Sequence, residues 1–283
     1  MPLDSPLSDA PMAEASDIPT RAVNIGRQHI RVAVRPGKAP PLLLCNGLGA
    51  NLELLAPLQR ALDGMETIAF DVPGTGGSPP SPEPMRLKGL AQLVAMLVAR
   101  LGYRQIDVLG VSWGGLLAQQ LAAQYPERVR RLVLVSTGPG ATSVPGNLGS
   151  LLQLANPRRW HDMAYLQQIA PHIYGGVFRS EPERVQEAFR DARQPSFLGY
   201  YGQIVAVMGW SSLGWLHRLP QPTLVISGTD DPLVPVANAH LLAERIPKAR
   251  LRLFDDGHLV LMTRLDEIAP LLREFLTESG PIP

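Results

Sequence analysis

A serine between two glycines is the residue whose setting most clearly predicts chemistry. Ser112 lies in the pattern Gly110-x-Ser-x-Gly114, between an apolar run that ends at Leu109 and a helix-like stretch. On a sharp turn from a strand to a helix, glycines two positions before and after the serine leave room for close backbone approach. The turn presents the hydroxyl at a helix N-terminus, where N–H groups favour negative charge. The sequence therefore predicts Ser112 as a nucleophile, provided that an acid and a histidine follow it.

Both partners are present, each just after a predicted strand. Asp231, with its neighbour Asp230 as the alternative, follows the predicted strand 222–227, and His258 follows the last predicted strand beside a glycine. An aspartate can also be an ordinary turn residue. Because the carboxyl ends of parallel strands meet at one edge of a sheet, we expect Ser112, His258 and Asp231 to converge as nucleophile, general base and orienting acid.

A glycine-rich loop after the predicted strand 41–45 is suited to hold negative charge. Two glycines around Leu48 let the backbone turn sharply and direct its N–H groups outward. The N–H groups of Leu48 and Trp113 are predicted to form an oxyanion hole, although an ordinary glycine turn is the alternative. A second glycine-rich loop, residues 72–78, lacks the Lys-Ser/Thr of a phosphate loop and opens no dinucleotide fingerprint. We expect no cofactor and no metal.

The elements that position these residues alternate between strands and helices. Alternation of this kind predicts a mostly parallel sheet with helices on both faces. The predicted strands cover residues 20–26, 28–35, 41–45, 66–71, 105–111, 132–135, 222–227 and 250–254, and the predicted helices cover 52–62, 86–101, 113–125, 236–246 and 265–276.

Residues 140–218 break this alternation. They contain no convincing apolar strand and hold ten of the sixteen aromatic residues of the chain. We expect an inserted helical cap on a core made of residues 20–139 and 219–283, with most aromatics packing the cap and some lining an apolar acyl pocket. Residues 1–19 show no periodicity and are predicted to be a mobile tail. Helices inside the cap are expected at residues 148–155, 161–170, 181–193 and 198–208.

The composition excludes several other classes of function. The chain has 283 residues, 45% of them apolar, and its net charge of +1 gives no field that attracts nucleic acid. The single cysteine, Cys45, allows neither an internal disulfide nor a cysteine-based metal site. No apolar run approaches the roughly 20 residues that span a bilayer, and the acidic start lacks the features of a secretory signal. A cytoplasmic location without a membrane span is therefore expected.

Several longer stretches carry a family resemblance over about residues 20–278. They include Asn46-Gly-Leu-Gly-Ala-Asn-Leu-Glu53, Gly110-Val-Ser-Trp-Gly-Gly115, Ile173-Tyr-Gly-Gly176, Gly228-Thr-Asp-Asp-Pro-Leu-Val-Pro235 and Asp255-Asp-Gly-His-Leu259. The chain resembles the α/β-hydrolases, and closely resembles the intracellular depolymerases of medium-chain-length poly(3-hydroxyalkanoate). The resemblance implies an eight-stranded α/β-hydrolase sheet with an inserted helical cap, and its catalytic triad falls on Ser112, Asp231 and His258.

The resemblance also implies a substrate and a location. The substrate would be the hydrophobic polyester of 3-hydroxy acids stored in cytoplasmic granules, with 3-hydroxyacid monomers or short oligomers as products, and the protein could associate with the granule surface. A carboxylesterase or lipase-like enzyme acting on small acyl esters is the first alternative, because it would use the same triad. Carbon–carbon bond hydrolysis, haloperoxidation and perhydrolysis occur on the same fold. A non-catalytic, granule-binding relative of the hydrolases is the remaining alternative.

Overall fold

An eight-stranded sheet forms the centre of the molecule. In the computed structural model, which describes residues 18–278, the sheet has the strand order β1-β2-β4-β3-β5-β6-β7-β8. β2 runs antiparallel to its neighbours β1 and β4, and all the other neighbouring strands pair in parallel. The mostly parallel, eight-stranded sheet is confirmed, and the predicted strands 20–26 and 28–35 form an antiparallel hairpin at its edge. The strands are β1 (Thr20–Ile25), β2 (Gln28–Arg35), β3 (Lys38–Cys45), β4 (Met65–Phe70), β5 (Ile106–Val111), β6 (Val129–Val135), β7 (Thr223–Gly228) and β8 (Ala249–Phe254).

Helices cover both faces of the sheet, as the alternating pattern predicts. The second, third and eighth helices pack on one face, and the first, ninth and tenth pack on the other. Within residues 18–278, none of the helices is long and apolar enough to cross a membrane. The helices are α1 (Ala56–Ala61), α2 (Leu87–Arg100), α3 (Trp113–Gln124), α4 (Leu148–Ala155), α5 (Met163–Ile173), α6 (Arg184–Ala188), α7 (Phe197–Val207), α8 (Ala237–Arg245), α9 (Val260–Thr263) and α10 (Leu265–Thr277).

The central strand β3 shows why its sequence is a continuous apolar run. Leu43 and Cys45 belong to the core on the α2–α3 side, whereas Leu42 and Leu44 belong to the core on the α1–α10 side. All four side chains are fully buried. Burying each leucine stabilises the fold by about 1.5–3 kcal/mol relative to leaving it exposed. A strand covered on both faces gains this stabilisation at every buried position, so its sequence does not alternate between apolar and polar residues.

β6 begins at Val129, three residues before the predicted start of this strand. Arg130 and Arg131 interrupt the apolar pattern there, but both side chains have partners. Arg130 forms a two-pronged ion pair with the buried Asp107, and the guanidinium of Arg131 lies over the ring of Phe275 at 5.3 Å. A central strand tolerates arginines in its first residues when their side chains have partners. The two charged residues therefore do not mark where β6 begins.

The inserted segment, residues 140–218, contributes α4 to α7 between β6 and β7 and adds no strand to the sheet. Its interior is aromatic. Tyr174 stacks on Phe189 with ring centroids 5.6 Å apart, and Trp160 meets the same ring edge-on at 5.8 Å. This cluster also includes Ala50, from the loop after β3. The inserted segment therefore packs directly on the edge of the sheet where the parallel strands end.

Residues 1–17 of the predicted tail lie outside the described residues. The described structure begins at Ile18, whose side chain is buried in the core on the α1–α10 side of the sheet. The chain is therefore anchored two residues before β1 begins.

Candidate active site

Ser112 occupies the sharp turn that joins β5 to α3. Its backbone has φ 52° and ψ −116°, a conformation that costs a non-glycine residue of order 1–3 kcal/mol. The flanking glycines permit this turn. A Cβ on Gly110 would lie 2.4 Å from the carbonyl oxygen of Gly114, and a Cβ on Gly114 would lie 2.1 Å from that of Cys45. The glycines therefore allow β3, β5 and α3 to approach closely while the serine hydroxyl stays accessible.

Ser112, His258 and Asp231 form one hydrogen-bonded chain. His258 Nε2 lies 3.0 Å from Ser112 Oγ, and His258 Nδ1 lies 2.7 Å from Asp231 Oδ2. The other carboxylate oxygen, Oδ1, accepts hydrogen bonds of 2.9 Å from the N–H groups of Leu233 and Val234. Because an ionised carboxylate can only accept, Nδ1 donates to Asp231 and Nε2 is left to accept the serine proton.

Asp230, the alternative acid, points elsewhere. Its carboxylate forms a two-pronged ion pair with Arg179 and accepts a hydrogen bond from the N–H of Gly176. The hydrogen bond from the Arg179 guanidinium is the main reason that the pKa of Asp230 lies below its ordinary value. The structure places Asp231, and not Asp230, against the imidazole.

The loop that carries His258 is fixed by its neighbours. The N–H of His258 donates to the carbonyl oxygen of Tyr174 at 2.7 Å, and a Cβ on Gly257 would lie only 1.9 Å from that oxygen. Asp256 is buried and accepts hydrogen bonds from the N–H groups of Gly257 and Val177 and from Arg264. Burial alone would raise the pKa of Asp256, but these hydrogen bonds outweigh burial and hold the pKa below its ordinary value. Sequence reasoning included Asp256 in a motif without assigning it this supporting position.

The loop after β3 brings Leu48 to the serine turn. A Cβ on Gly47 would lie 3.9 Å from the Cβ of Ser112. Asn46 holds the loop from inside, since its side chain accepts from the N–H of Gly47 and donates to the carbonyl oxygen of Asn51. Within residues 18–278, the N–H groups of Leu48 and Trp113 donate to no protein acceptor. Both N–H groups are therefore available to a ligand next to the serine.

A cavity of about 340 Å³ adjoins Ser112 and His258. This volume lies within the usual range of small-molecule sites. Apolar side chains make up much of its wall, and charged residues, including Glu53 and Arg184, also line it. Four of the ten aromatics of the inserted segment line the cavity, namely Trp160, Tyr174, Phe178 and Phe189.

The arrangement is suited to acyl transfer. An imidazole that is oriented by a buried carboxylate can take the proton of a hydroxyl as that hydroxyl attacks a carbonyl carbon. Free N–H groups beside the hydroxyl can stabilise the negative oxygen that develops, and an apolar cavity can hold a hydrocarbon chain. Among the described residues, no group of three or more His, Cys, Asp or Glu is placed to hold a metal ion.

Comparison with known proteins agrees with this architecture. The family model of the alpha/beta hydrolase fold matches residues 40–265. Because the match covers most of the chain, the protein belongs to the alpha/beta hydrolase fold family, and the resemblance predicted from its motifs is confirmed.

Individual proteins give more specific matches than the family model does. The chain is 51% identical over 262 residues to the poly(3-hydroxyalkanoate) depolymerase of Ectopseudomonas oleovorans, covering 92% of this chain and 93% of that protein. It is 29% identical to 3-oxoadipate enol-lactonase 2 of Acinetobacter baylyi, covering 78% of this chain and 82% of that protein. The crystal structure of the enol-lactonase from Burkholderia xenovorans LB400 superposes with a TM-score of 0.78 at 25% identity, covering 91% of this chain and 100% of that one.

Proposed function

We propose that this protein is a serine hydrolase that cleaves the ester bonds of medium-chain-length poly(3-hydroxyalkanoate) through an acyl-enzyme. The observation that carries the proposal is the hydrogen-bonded chain from Ser112 through His258 to Asp231, which opens on an apolar cavity. The polyester substrate is supported by the 51% identity to the Ectopseudomonas oleovorans depolymerase over nearly the full length of both chains.

The proposed reaction proceeds in two steps. Ser112 attacks the ester carbonyl carbon while His258 accepts the serine proton, and the same proton then passes to the departing alkoxide oxygen. Water next attacks the acyl-enzyme, with His258 as the base, and releases the acid. Asp231 keeps Nε2 free to accept and stabilises the imidazolium that forms in each step. The N–H groups of Leu48 and Trp113 stabilise the oxyanion, a contribution of about 3–4 kcal/mol for a single donor.

The inserted segment acts in this proposal as a cap that binds the alkyl side chain of the polyester. Trp160, Phe178 and Phe189 reach the cavity from the inserted segment, while Leu48 and Leu259 reach it from loops of the core. Each methylene that moves from water into such a cavity contributes about 0.8 kcal/mol. Side chains of medium length would therefore bind several kcal/mol more tightly than a methyl group.

A location on cytoplasmic polyester granules completes the proposal. The chain has no charged side chain in residues 132–157 or 194–216, two stretches that include α4 and α7. The two helices nevertheless expose large apolar side chains, including Leu148, Leu152, Phe197, Leu198 and Val205. Helices that carry no charged side chain of their own suit an uncharged polyester, because charged side chains would have to lose water there without gaining an ionic partner.

The test is hydrolysis of the polymer itself. A suspension of medium-chain-length polyester is incubated with the wild-type protein and with Ser112→Ala, and released 3-hydroxyacids are measured by mass spectrometry beside hydrolysis of p-nitrophenyl octanoate. We expect the wild type to release 3-hydroxyacid monomers or short oligomers, and Ser112→Ala to release none.

A hydrolase of small acyl esters is the second candidate. Its support is the cavity of about 340 Å³ beside the serine, which is of small-molecule size, and the relative that is named an enol-lactonase. Turnover of p-nitrophenyl octanoate without any release from the polymer would favour this candidate. If the wild type hydrolyses neither the polymer nor p-nitrophenyl octanoate, a non-catalytic binding protein would be favoured.

A further inference from the structure

The loop that carries Leu48 is held in place by two side chains of the inserted segment. The peptide group between Leu48 and Gly49 is bound at both ends. Its carbonyl oxygen accepts a hydrogen bond of 3.1 Å from Arg159 Nη2, and its N–H donates one of 2.9 Å to Gln203 Oε1. Arg159 and Gln203 are 4% and 3% exposed, so water does not compete for either contact.

The same glutamine also contacts the other half of the proposed oxyanion hole. The indole Nε1 of Trp113 donates a hydrogen bond of 2.9 Å to the backbone carbonyl oxygen of Gln203. Trp113 supplies the second proposed N–H donor from its own backbone. Gln203 of α7 therefore contacts Gly49, the residue next to the donor Leu48, and also the side chain of Trp113, whose backbone is the other donor.

A backbone hydrogen bond of 3.1 Å from the N–H of Ala50 to the carbonyl oxygen of Gly47 closes the loop from within, and the inserted segment adds its own contacts. Gly49 has φ +73°, and a Cβ there would lie 2.8 Å from the Tyr200 ring and 2.9 Å from Trp160 Nε1. Glycine therefore lets the inserted segment approach the loop, but glycine also has the widest choice of backbone angles. The contacts from Arg159 and Gln203 restrict the orientation of the Leu48–Gly49 peptide group, and the direction of the preceding N–H of Leu48 depends on that orientation.

We propose that Gln203 is a positioning residue for the oxyanion hole, and that the hole is complete only when α7 is packed on the loop after β3. This inference rests on the proposed serine-hydrolase function. Oxyanion donors act through their prior alignment with the charge that develops, so a small displacement of both donors lowers the rate more than it lowers substrate affinity. Moving the inserted segment away to admit a polymer chain would break these contacts, so cleavage follows only after the segment has closed again.

The main test replaces Gln203 with a side chain of similar length that has no hydrogen-bond acceptor. Complete loss of one oxyanion donor typically costs about 10²–10³ in kcat, so partial misalignment in Gln203→Met is expected to lower kcat for p-nitrophenyl octanoate about 10- to 100-fold. KM should stay within about twofold, since the cavity is unchanged. The rate of inactivation by a fluorophosphonate, whose phosphoryl oxygen also enters the hole, should fall in proportion to kcat.

Tyr200→Phe is the matched control. It removes one buried hydrogen bond from the same helix, but that bond joins the Tyr200 hydroxyl to the carbonyl oxygen of Leu154, within the inserted segment. We expect Tyr200→Phe to lower the melting temperature about as much as Gln203→Met while keeping kcat within about threefold of the wild type. A fall in kcat of the same size in both variants would show that general loosening of the segment, and not donor alignment, is responsible.

A second variant tests the contact from the other side. Trp113→Phe keeps an aromatic ring and the backbone N–H but loses the indole donor to Gln203, and we expect kcat to fall with little change in KM. If Gln203→Met and Trp113→Phe both keep kcat within about threefold, the positioning role is wrong. Failure of the proposed function itself is distinguishable, because the wild type would then neither hydrolyse the ester nor react with the fluorophosphonate.

Discussion

Replacing Asp231 with asparagine tests the geometry around His258 most sharply. The carboxylate uses both oxygens: Oδ2 accepts from His258 Nδ1, and Oδ1 accepts from the N–H groups of Leu233 and Val234. An amide has only one oxygen, so Asp231→Asn must either turn its NH₂ group toward the imidazole or turn it toward the two backbone N–H groups.

The two orientations of the amide differ in energy and in chemistry. With NH₂ toward the imidazole, Nδ1 must accept, the ring proton moves to Nε2, and His258 can no longer take the proton of Ser112. With NH₂ toward Leu233 and Val234, the buried N–H of Leu233 and the partly buried N–H of Val234 lose their acceptor, at a cost of about 1–3 kcal/mol each. The active orientation is therefore less stable by about 2–6 kcal/mol, which corresponds to about a 30-fold to 20,000-fold loss of kcat.

The assay is hydrolysis of p-nitrophenyl octanoate, with melting temperature as the measure of folding. Asp230→Asn is the control, because it makes the same chemical change one residue away in a surface pair with Arg179. We expect Asp230→Asn to keep kcat within about threefold, since a surface ion pair contributes only about 0–1 kcal/mol. The reasoning is refuted if Asp231→Asn keeps more than about a tenth of the wild-type kcat, or if Asp230→Asn loses as much.

Three further predictions concern packing, pH and the surface. In urea unfolding, Gly114→Ala should destabilise the fold by roughly 1–3 kcal/mol, because the added Cβ meets backbone atoms. Gly202→Ala in α7, where the added Cβ meets open space, should stabilise the fold by up to about 1 kcal/mol. Equal effects of the two substitutions would contradict this packing argument. Burial raises the pKa of Asp71 to about 6, so the folded protein holds a proton that the unfolded chain releases near pH 4. The stability of the wild type relative to Asp71→Asn should therefore fall by up to about 3 kcal/mol as pH rises from 4 to 6, and a constant or rising difference would refute the assignment. Leu198→Glu should reduce sedimentation of the protein with polyester particles severalfold. Met96→Glu, at an exposed position of α2, should leave sedimentation unchanged. An equal loss of sedimentation in both variants would argue against α7 as the contact surface.

Local signals in the sequence were sufficient for the existence and order of the strands and for Ser112 and His258 at the edge of the sheet. Apolar runs marked the strands, and Ser112, Asp231 and His258 each follow one of them, so the parallel topology placed all three at the same edge. The choice between Asp230 and Asp231 needed the structure, because both precede the same loop. It depends on Arg179, which lies 51 residues earlier in the chain.

In the inserted segment, α4 spans the predicted residues 148–155 and α7 lies within one residue of the predicted 198–208, but α6 was harder to bound from the sequence. A helix was expected over residues 181–193, but α6 ends at Ala188. The chain leaves the helix because Asn51 binds the following residues: its side chain donates to the carbonyl oxygen of Asp191 and accepts from the N–H of Arg193. No local pattern encodes such a contact, because its partners are about half the chain apart.

The contacts of Gln203 were missed for the same reason, although one signal was present. The sequence of α7 is Phe-Leu-Gly-Tyr-Tyr-Gly-Gln-Ile-Val-Ala-Val. Gln203 is the single amide side chain of this uncharged, mostly apolar helix. A buried amide needs hydrogen-bond partners, so an isolated glutamine in such a helix indicates a specific contact. The identity of that contact, Gly49, is set by tertiary packing alone.

The central claim is that Ser112 is the acylated nucleophile, and mass spectrometry of the protein after reaction with a fluorophosphonate tests it most directly. Trypsin releases Ser112 in the peptide of residues 105–128, which contains no other serine. We expect one phosphonyl group on that peptide at Ser112, and none in His258→Ala over the same time. A label on a different peptide, or undiminished ester hydrolysis by Ser112→Ala, would contradict the account.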